Sequence, residues 1–492
     1  MVAGNRSLPP AALVALLGFL ILLMGRGLLS GYSYWHDELF SIGAASAPSW
    51  IVLFRDWVLP DTHPPLHLLL LRAWVSLAGP DEIGSRLLSF LPACLALAAM
   101  ARLTRGDGAV RQFVALSFLG TSPLLAGQAQ EVRPYAWGVL FAVLATGAMA
   151  RMLRRKASPT LHHCLRISLL LLSLTHYFGL LYGLVLVGID LWRGGRCLGG
   201  RPAGLVLLSA MAAWPLLHAR LGLGVGRTAW IDSTPLLDIA SAAINGAFPA
   251  APAVLALLTL LLLLALVRRR GGWPPARLLW ARLLTHPEAR EARWLILQML
   301  VFLVLVALLD LRKPLSVERY FFVLLAPLAL LLGDLTQRIA DHGGRDLIKA
   351  AALILALLFT MHLIHSQEVL TARIRPSENY KDLAAYLTRE KICESGCFSE
   401  SGRRKRLRPY FDAIDLRRVP RRGAPNKATT PLPFVGLHGE QKLIAPLLSR
   451  HLGSSCWQPV QSDATSTYVI LPAGASPPAP SSGMRSCEPA RS

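Results

Sequence analysis

The 492-residue chain is poor in charge: Asp, Glu, Lys and Arg make up 16% of it, with 29 acidic residues against 51 basic ones. Soluble domains average about 25% charged residues, so the composition argues against an ordinary cytosolic enzyme. The repeats and low-complexity tracts of a fibrous, collagenous or mainly disordered protein are also missing. A Rossmann-type glycine pattern is missing as well, so we expect no soluble nucleotide-binding domain.

The chain is instead rich in apolar residues, which account for 53% of it. A transmembrane helix needs about 20 mostly apolar residues. Runs approaching that length occupy residues 11–30, 85–104, 110–126, 134–152, 161–175, 176–192, 203–221, 251–267, 294–311, 317–334 and 347–365. The formal net charge of +22 comes from short basic clusters between these runs, which is typical of polytopic membrane proteins and not of nucleic-acid-binding ones. The sequence therefore predicts an all-α integral membrane protein with about 11 spans and no nucleic-acid partner.

The basic clusters also predict sidedness, because Lys and Arg accumulate in cytoplasmic loops. They contain Arg102 and Arg105; Arg151, Arg154, Arg155 and Lys156; Arg193, Arg196 and Arg201; Arg268, Arg269 and Arg270; and Arg338, Arg345 and Lys349. These loops alternate with the others, which places the N-terminus in the cytoplasm and the chain after residue 366 outside. We expect a membrane domain at residues 1–366, beginning with an uncleaved anchor, and an extracytoplasmic region at 367–492.

The first outer loop, residues 31–84, is long and contains more than a connector. Residues 50–58 form a short amphipathic stretch suited to the membrane interface. Pro64 and Pro65 then open a run from Leu66 to Gly79, which as a helix would be about 21 Å long against a hydrocarbon core of about 30 Å. This length predicts a juxtamembrane or half-buried helix, with a twelfth or thirteenth span as the alternative.

The tail after residue 366 differs in composition from the apolar runs before it. It has an amphipathic stretch at 379–390, a basic run at 403–408 and a Pro-rich end, which together predict a small, loop-rich extracytoplasmic domain with a loose end. Cys393, Cys397, Cys456 and Cys487 would lie on the oxidising side of the membrane, where disulfides form. Four cysteines allow three pairings.

Asp37 and Glu38 follow the first span directly, within Tyr-Ser-Tyr-Trp-His-Asp-Glu. One interpretation is a solvated acid pair beside an aromatic interface belt. The other is a carboxylate held at the membrane surface as a general base. A sugar hydroxyl has a very high pKa and needs a positioned proton acceptor when it attacks an anomeric carbon, and Asp37 suits that role.

Asp61 and His63 come next in the same loop, within Asp-Thr-His-Pro-Pro. The two prolines alone explain a turn before a helix. Carboxylate and imidazole are also common ligands of divalent metals, although two candidate ligands are a weak signal. Both the turn and a metal site stay open.

Further polar residues lie at the outer ends of other spans. Arg133, within Gln-Glu-Val-Arg-Pro-Tyr, is placed either to bind an anionic lipid head group or to pair with Glu131. The others are Arg86, Tyr135, His176, Tyr177, Glu318, Arg319 and Tyr320. Each alone is an ordinary interface residue, but an inert helical bundle does not need all of these groups on one face. Their common side indicates a functional site.

The order of these motifs resembles that of the GT-C membrane glycosyltransferases. The motifs are Asp-Glu after the first span, His-Pro-Pro-Leu, Arg86-Leu-Leu-Ser, Gln-Glu-Val-Arg-Pro-Tyr, Thr-His-Tyr-Phe, Trp230-Ile231 and Glu-Arg-Tyr. Over residues 10–390 they are similar to a bacterial branch of protein O-mannosyltransferase-like, aminoarabinose-transferase-like and rhizobial galacturonosyltransferase-like enzymes. The aminoarabinose transferases have Lys-Pro-Pro where this chain has His-Pro-Pro, so the chain is not expected to be that enzyme.

The resemblance implies a GT-C fold and an inverting transfer of a sugar from a polyprenyl phosphate to an extracytoplasmic acceptor. That acceptor is lipopolysaccharide, polysaccharide, lipid or protein, and the location implied is the bacterial inner membrane. Asp37 would take the place of the family's first-loop catalytic acid, and Glu38 would complete its acidic pair.

The resemblance also implies roles in substrate binding. His63 matches the His-Pro-Pro element, which lines the donor and metal region in some members. The remaining substrate-binding candidates are Arg86, Arg133, Tyr135, His176, Tyr177, Arg319 and Tyr320, of which the last two match the element that faces the lipid phosphate. Some members bind a divalent metal and others do not, so a metal at Asp61 and His63 is left open.

A transporter or flippase of a lipid-linked or anionic substrate is the alternative function. Transporters keep charges near mid-membrane, on broken helices within repeated halves. Here the spans are almost free of acids and the charges lie at one edge. The sequence therefore favours an enzyme, although an inactive relative that only binds its partners would show the same features.

Overall fold

The computed structural model describes residues 7–154, 158–221, 290–342, 345–374, 380–389 and 391, and segments 397–399, 409–410, 416–418, 434–436, 456–459 and 468–471. Its α-helices are α1 (Pro10–Gly25), α2 (His36–Ala45), α3 (Trp50–Leu53), α4 (Leu66–Ala78), α5 (Glu82–Leu103), α6 (Ala109–Thr121), α7 (Pro123–Gln128), α8 (Tyr135–Arg154), α9 (Pro159–Ser173), α10 (Tyr177–Trp192), α11 (Arg201–Arg220), α12 (Arg290–Asp310), α13 (Leu325–His342), α14 (Arg345–Ile374) and α15 (Tyr380–Arg389). Two 3₁₀-helices cover Leu28–Ser30 and Glu318–Leu324, and a π-helix covers Phe54–Val58.

The predicted spans coincide with helices or with pairs of consecutive helices, except residues 251–267, which lie outside the described residues. Within the described part of the chain, seven helical segments are long and apolar enough to cross a membrane: Pro10–Ser30, Glu82–Leu103, Tyr135–Arg154, Arg201–Arg220, Arg290–Asp310, Glu318–Asp341 and Ala351–Ala372. The protein is therefore a multi-pass membrane protein, as predicted. The count of 11 spans stays a prediction, because helices such as α10 are shorter than these.

The first loop contains the short helices that the sequence predicts. The amphipathic stretch forms α3 and the π-helix that follows it. The apolar run forms α4, which begins at Leu66 directly after Pro64 and Pro65. Proline fits there because the first residues of a helix need no N–H partner within the helix. In the tail, the second amphipathic stretch forms α15.

Two predicted spans are interrupted near their outer ends. The span at 110–126 is split into α6 and α7 at Ser122, whose Oγ accepts the N–H of Leu125 at 3.4 Å. Pro123 has no N–H with which to continue α6, and Ser122 provides the cap for a new helix. The span at 317–334 begins with the 3₁₀-helix Glu318–Leu324 before α13 takes over. These interruptions place irregular backbone on the face predicted to be extracytoplasmic.

The chain forms two compact units. The first comprises Met1–Leu28, Trp50–Leu70 and Arg86–Leu370, and the second comprises Leu29–Ser49, Leu71–Ser85 and Thr371–Ser492. The tail thus shares its unit with two parts of the first loop, which a division of the sequence at residue 366 does not anticipate.

The core of the first unit surrounds α8, most of whose residues are buried. Gly138 on α8 allows the 3₁₀-helix to approach, because a Cβ atom at this position would overlap the ring of Phe322. One turn earlier on α8, Tyr135 consequently stacks on Tyr320 of the 3₁₀-helix, with 6.2 Å between ring centroids. This close packing brings two of the predicted site residues together.

A buried ion network joins four helices of the first unit on the face predicted to be cytoplasmic. Arg111 on α6 donates to Glu291 on α12 at 2.6 Å and to Asp334 on α13 at 2.9 Å. Arg154 on α8 donates to the same Glu291 and, at 2.7 Å, to Asp107. The side chains of Arg111 and Glu291 are 3% and 2% exposed, so each charge depends on its partner for stabilisation.

The tail contains a small sheet in addition to α15. Its strands are β1 (Cys397–Ser399), β2 (Leu416–Arg418), β3 (Phe434–Gly436), β4 (Cys456–Pro459) and β5 (Tyr468–Leu471), in the order β2-β1-β3-β5-β4. The β1 strand is parallel to both neighbours, and the other pairs are antiparallel. The sequence predicts a loop-rich tail and misses these strands.

The sheet order narrows the possible disulfides. Cys397 begins β1 and Cys456 begins β4, with β3 and β5 between them. Three strand spacings amount to about 14 Å, whereas the Cα atoms of a disulfide lie within about 7 Å of each other. The backbone spacing therefore does not favour a bond between these two cysteines; Cys393 and Cys487 lie outside the described residues, and the pairing of the four cysteines stays a prediction.

We predict that Arg111→Met destabilises the protein by about 3–5 kcal/mol, because Glu291 and Asp334 stay buried while each loses one of its cationic partners. The measurement is denaturant-induced unfolding of the purified protein in detergent. The matched control is Arg102→Met, at an exposed arginine of the same predicted face, which should change stability by less than about 0.5 kcal/mol. Equal effects of the two substitutions would show that the network contributes nothing specific.

Candidate functional site

Six predicted residues of the first unit come together in one group, which we term the aromatic–arginine cluster: His63, Arg133, Tyr135, His176, Arg319 and Tyr320. Ring centroids of His176 lie 4.6 Å from Tyr320, 5.2 Å from His63 and 5.5 Å from Tyr135. His176 is therefore at the centre of the cluster. The residues come from four segments that the sequence separates by 40 residues or more, so only the fold brings them together.

His176 caps α10, and this fixes its tautomer. The backbone N–H of Phe178 donates to His176 Nδ1 at 3.1 Å. The proton of the neutral ring must then be on Nε2, because Nδ1 acts as the acceptor. With only 4% of its surface exposed, His176 presents a buried N–H donor within the cluster.

His63 connects an acid to an arginine. Its Nδ1 lies 3.3 Å from Asp61 Oδ1, and its Nε2 lies 3.4 Å from Nη2 of Arg133. A carboxylate accepts and a guanidinium donates, so the proton is on Nδ1 and Nε2 is the acceptor. The ring thereby holds the Arg133 side chain in place.

Burial of Asp61 would by itself raise the pKa of its carboxyl group. The hydrogen bond from His63 and the charge of Arg133 outweigh burial and lower that pKa below its ordinary value. The backbone N–H of Thr62 also donates to Asp61, at 2.7 Å. Asp61 is therefore ionised at neutral pH and fixes the orientation of His63.

The other arginine of the cluster is held by a phenol. Arg319 Nε donates to the hydroxyl oxygen of Tyr135 at 3.1 Å, and the guanidinium carbon lies 5.7 Å from the ring centroid of Tyr320. Planar guanidinium groups suit bidentate binding of phosphate. The cluster thus contains two positioned arginines among buried and half-buried aromatic rings.

The loop that carries Arg133 is itself buried. Gln130 Nε2 donates to the carbonyl oxygen of Met24 at 2.5 Å, and the carbonyl oxygen of Arg133 accepts from Ser89 Oγ at 3.3 Å. Arg86 lies one turn before Ser89 on α5 and is fully buried. The backbone N–H of Arg133 donates to the carbonyl oxygen of Glu131, which is also buried. Helices α1 and α5 therefore fix the position of this loop.

Tyr177 has a different set of neighbours. Its hydroxyl donates to Nδ1 of His218 on α11 at 2.7 Å, and His218 Nε2 donates to the carbonyl oxygen of Leu59 at 3.0 Å. Tyr177 therefore ties α10 to α11 and to the first loop, and its contacts are not those of the cluster. His218 is a partner that sequence reasoning missed, since a histidine at the end of an apolar run is an ordinary interface residue.

His67 is a second residue that sequence reasoning missed. It is 3% exposed, and its Nε2 donates to the carbonyl oxygen of Val132 at 3.3 Å. Its Nδ1 is buried and has no hydrogen-bond partner within the described part of the chain. The available signal was a second histidine four residues after His63, at the start of the apolar run. An acceptor in this position suits a hydroxyl group of a ligand.

Asp37 and Glu38 lie in the second unit, in the first turn of α2. Glu38 is fully buried, and its Oε2 accepts the backbone N–H of Trp35 at 3.2 Å. The carbonyl oxygen of Asp37 accepts from Ser41 Oγ at 3.1 Å. Glu38 thus caps the N-terminus of α2. Asp37, in the same turn, is half-buried.

The geometry around Asp61 and His63 does not fit a resident divalent cation. Both ring nitrogens of His63 already face other groups, one of which is the cationic Arg133. Among the described residues there is no group of three or more His, Cys, Asp or Glu that could hold a metal. A metal ion at this position stays a prediction without structural support, and we assign it no step in the reaction.

No protein-family model matches the sequence, and no curated protein matches it either. The fold is similar to that of ArnT from Cupriavidus metallidurans, an aminoarabinose transferase with the GT-C fold. The crystal structure of its apo state has a TM-score of 0.60 and 15% identity, covering 94% of this chain and 97% of that chain. The structure bound to undecaprenyl phosphate has a TM-score of 0.58 and 14% identity, covering 95% and 99%. The predicted GT-C resemblance is thus confirmed for the fold; Trp230 and Ile231, which contributed to it, lie outside the described residues.

We predict that Asp61→Asn lowers stability at neutral pH by about 1.5–3 kcal/mol, the contribution of a hydrogen bond to a charged group. Because the pKa of Asp61 is lowered in the folded protein, its contribution is present above the unfolded value near 4 and is lost as pH falls through the folded value. The stability gap, meaning the difference in free energy of unfolding between wild type and variant, should therefore be constant from pH 7 to about pH 4 and should shrink below pH 4.

Thermal unfolding in detergent across this pH range measures the gap. Asp56→Asn is the matched control, since Asp56 pairs with the exposed Arg55 in the same loop. This control should behave as wild type at each pH. A gap that is the same at pH 3 and pH 7 would contradict the assigned ion pair.

Proposed function

We propose that the protein is an inverting membrane glycosyltransferase that moves a sugar from a polyprenyl phosphate to an acceptor outside the cytoplasm. The observation that carries this proposal is the gathering of two positioned arginines and four aromatic or imidazole rings, two of them buried, in the aromatic–arginine cluster. The likeness in fold to ArnT over 94% of this chain, and the undecaprenyl phosphate bound to that protein in the second crystal structure, support a polyprenyl phosphate as the carrier.

In this proposal Arg133 and Arg319 bind the phosphate of the donor. Negative charge grows on the departing polyprenyl phosphate as its bond to the anomeric carbon breaks, and fixed cations stabilise that charge. His63 and Tyr135 contact the two guanidinium groups at 3.4 and 3.1 Å. These contacts hold the arginines in place before the donor binds, so less side-chain conformational entropy is lost on binding.

The acceptor hydroxyl attacks the anomeric carbon from the side opposite the phosphate, and Asp37 takes its proton. One carbon–oxygen bond forms as the other breaks, so a single displacement inverts the configuration at this carbon. Glu38 supports this step by holding the first turn of α2 through the N–H of Trp35. The buried Nδ1 of His67 is an acceptor for a hydroxyl group of the sugar.

We further propose that the protein resides in a bacterial inner membrane with a cytoplasmic N-terminus. The donor-binding face and the region 367–492 would then be periplasmic, and the acceptor would be an envelope glycan, lipid or protein. The alternation of basic clusters along the sequence supports this orientation.

The test is mass spectrometry of polyprenyl-phosphate sugars and envelope glycans in cells with and without the protein. We expect cells lacking it to accumulate one lipid-linked monosaccharide and to contain a glycan without one sugar. Asp37→Asn should reproduce this loss while folding normally, because an amide cannot accept the proton. Asp56→Asn, in the same loop, should restore transfer.

Unchanged lipid and glycan pools in cells that lack the protein would contradict the enzyme and favour a transporter or an inactive relative. Normal transfer by a well-folded Asp37→Asn variant would instead contradict only the assignment of the base.

We predict that Arg133→Gln raises the KM for the donor by about 10- to 100-fold, since it removes charge-assisted hydrogen bonds to the phosphate. Inhibition by undecaprenyl phosphate should weaken by a similar factor. The matched control is Arg220→Gln, an exposed arginine at the end of α11, which should leave both values unchanged. An unchanged KM in a folded Arg133→Gln variant would remove this residue from the donor site.

A further inference from the structure

The segment just before α2 is bonded to the tail of the chain, within the second unit. The backbone N–H of Tyr34 donates to the hydroxyl oxygen of Tyr410 at 2.9 Å. The ammonium group of Lys381 on α15 donates to the carbonyl oxygen of Gly31 at 3.2 Å, and its backbone N–H donates to Ser33 Oγ at 3.3 Å. The tail thus contacts three of the residues that lead into α2.

Glu82 joins the two tail residues to each other. Its Oε1 accepts from the Tyr410 hydroxyl at 2.9 Å and from Lys381 Nζ at 3.0 Å. Hydrogen bonds that involve an ionised partner are stronger than neutral ones. The side chain of Glu82 is only 15% exposed, so solvent weakens these bonds little.

Tyr34 is fixed at its other end as well. Its hydroxyl lies 2.8 Å from the carbonyl oxygen of Pro80 and 3.0 Å from Ser85 Oγ, and its ring lies 5.9 Å from that of Tyr410. The residue is 1% exposed. Tyr34 is thus held through its backbone, its ring and its hydroxyl, two residues before α2 begins.

The far end of α2 is held by an arginine. Arg72 on α4 donates to the carbonyl oxygen of Ala45 at 2.7 Å and also to that of Ala47. A cation at a helix C-terminus satisfies carbonyl groups that have no partner within the helix and interacts favourably with the helix dipole. The helix that carries Asp37 and Glu38 is therefore fixed at both ends.

We propose that Tyr410 and Lys381 are positioning residues for sugar transfer, which hold the approach to α2 and thereby set the orientation of Asp37. This inference rests on the proposed function, in which Asp37 accepts a proton. A misplacement of about 1 Å can reduce a catalysed rate by about 100-fold. The tail is then part of the catalytic apparatus and not an appended domain.

The phenol of Tyr410 is suited to a permanent link. Burial raises its pKa, and the neighbouring Glu82 adds to this effect despite the opposing hydrogen bond from Tyr34. The hydroxyl therefore stays protonated at physiological pH, donates to Glu82 and accepts from the N–H of Tyr34.

The test uses the full-length protein in detergent or nanodiscs, with Tyr410→Phe and Lys381→Met. We expect Tyr410→Phe to lower kcat by about tenfold, the effect of losing one hydrogen bond to a charged group, and to leave the KM for the donor unchanged. Amide hydrogen exchange in residues 31–38 should become faster, since the N–H of Tyr34 loses its acceptor. Lys381→Arg, which keeps the charge and donors, should restore kcat relative to Lys381→Met.

The matched control is Thr388→Val, which removes a hydroxyl of α15 whose hydrogen bond within the described residues is made to the carbonyl oxygen of Ala384 in the same helix. It should leave both kcat and exchange as in wild type. Unchanged exchange in Tyr410→Phe would overturn the contact, and faster exchange with unchanged kcat would overturn the positioning role. Failure of the proposed function is distinguishable, because the unaltered protein would then transfer no sugar.

Discussion

Within a bilayer, every backbone N–H and C=O group needs a partner inside the protein, and this constraint determines where the chemistry of this chain lies. In the described part of the chain, helices meet it along the apolar runs, and irregular backbone lies at the ends of helices. Three such segments, between α7 and α8, α9 and α10, and α12 and α13, carry or directly precede Arg133, His176 and Arg319. The residues that converge on one site are those at which the helical hydrogen-bond pattern stops. At the start of α10, for example, His176 accepts the backbone N–H of Phe178, and we propose that the polar side chains at these points bind a ligand.

The first unit contains two sets of charged side chains whose described neighbours differ. On the face predicted to be cytoplasmic, arginines and carboxylates bond to one another directly: Arg111, Arg154 and Arg338 with Asp107, Glu291 and Asp334. Such a balanced network is complete without a ligand. In the aromatic–arginine cluster, the contacts of Arg133 and Arg319 include an imidazole and a phenol. These neighbours orient the guanidinium groups, whose planar form suits bidentate binding of an anion.

Much of the membrane fold could be predicted from the sequence, because apolar length and basic clusters are local signals. The spans, α3, α4 and α15, and the residue types of the cluster all follow from patterns within a few turns of chain. The contacts that make the site do not. Nothing local indicates that His67 supports the backbone at Val132, that Tyr177 meets His218, or that Tyr34 bonds to Tyr410, since these partners lie 65, 41 and 376 residues apart. The strands of the tail were missed because each has only three or four residues.

The distance along the chain between Tyr34 and Tyr410 has a consequence for assembly. A helix of ten residues is marginal by itself in water, and α2 has that length. Arg72 is available to α2 early in synthesis, but Lys381 and Tyr410 follow the last membrane helix, α14. The approach to α2 can therefore acquire its tail contacts only after the membrane helices have been made. If Asp37 is the base, it is positioned for catalysis only after the membrane helices have been synthesised, because these late contacts define the orientation of α2.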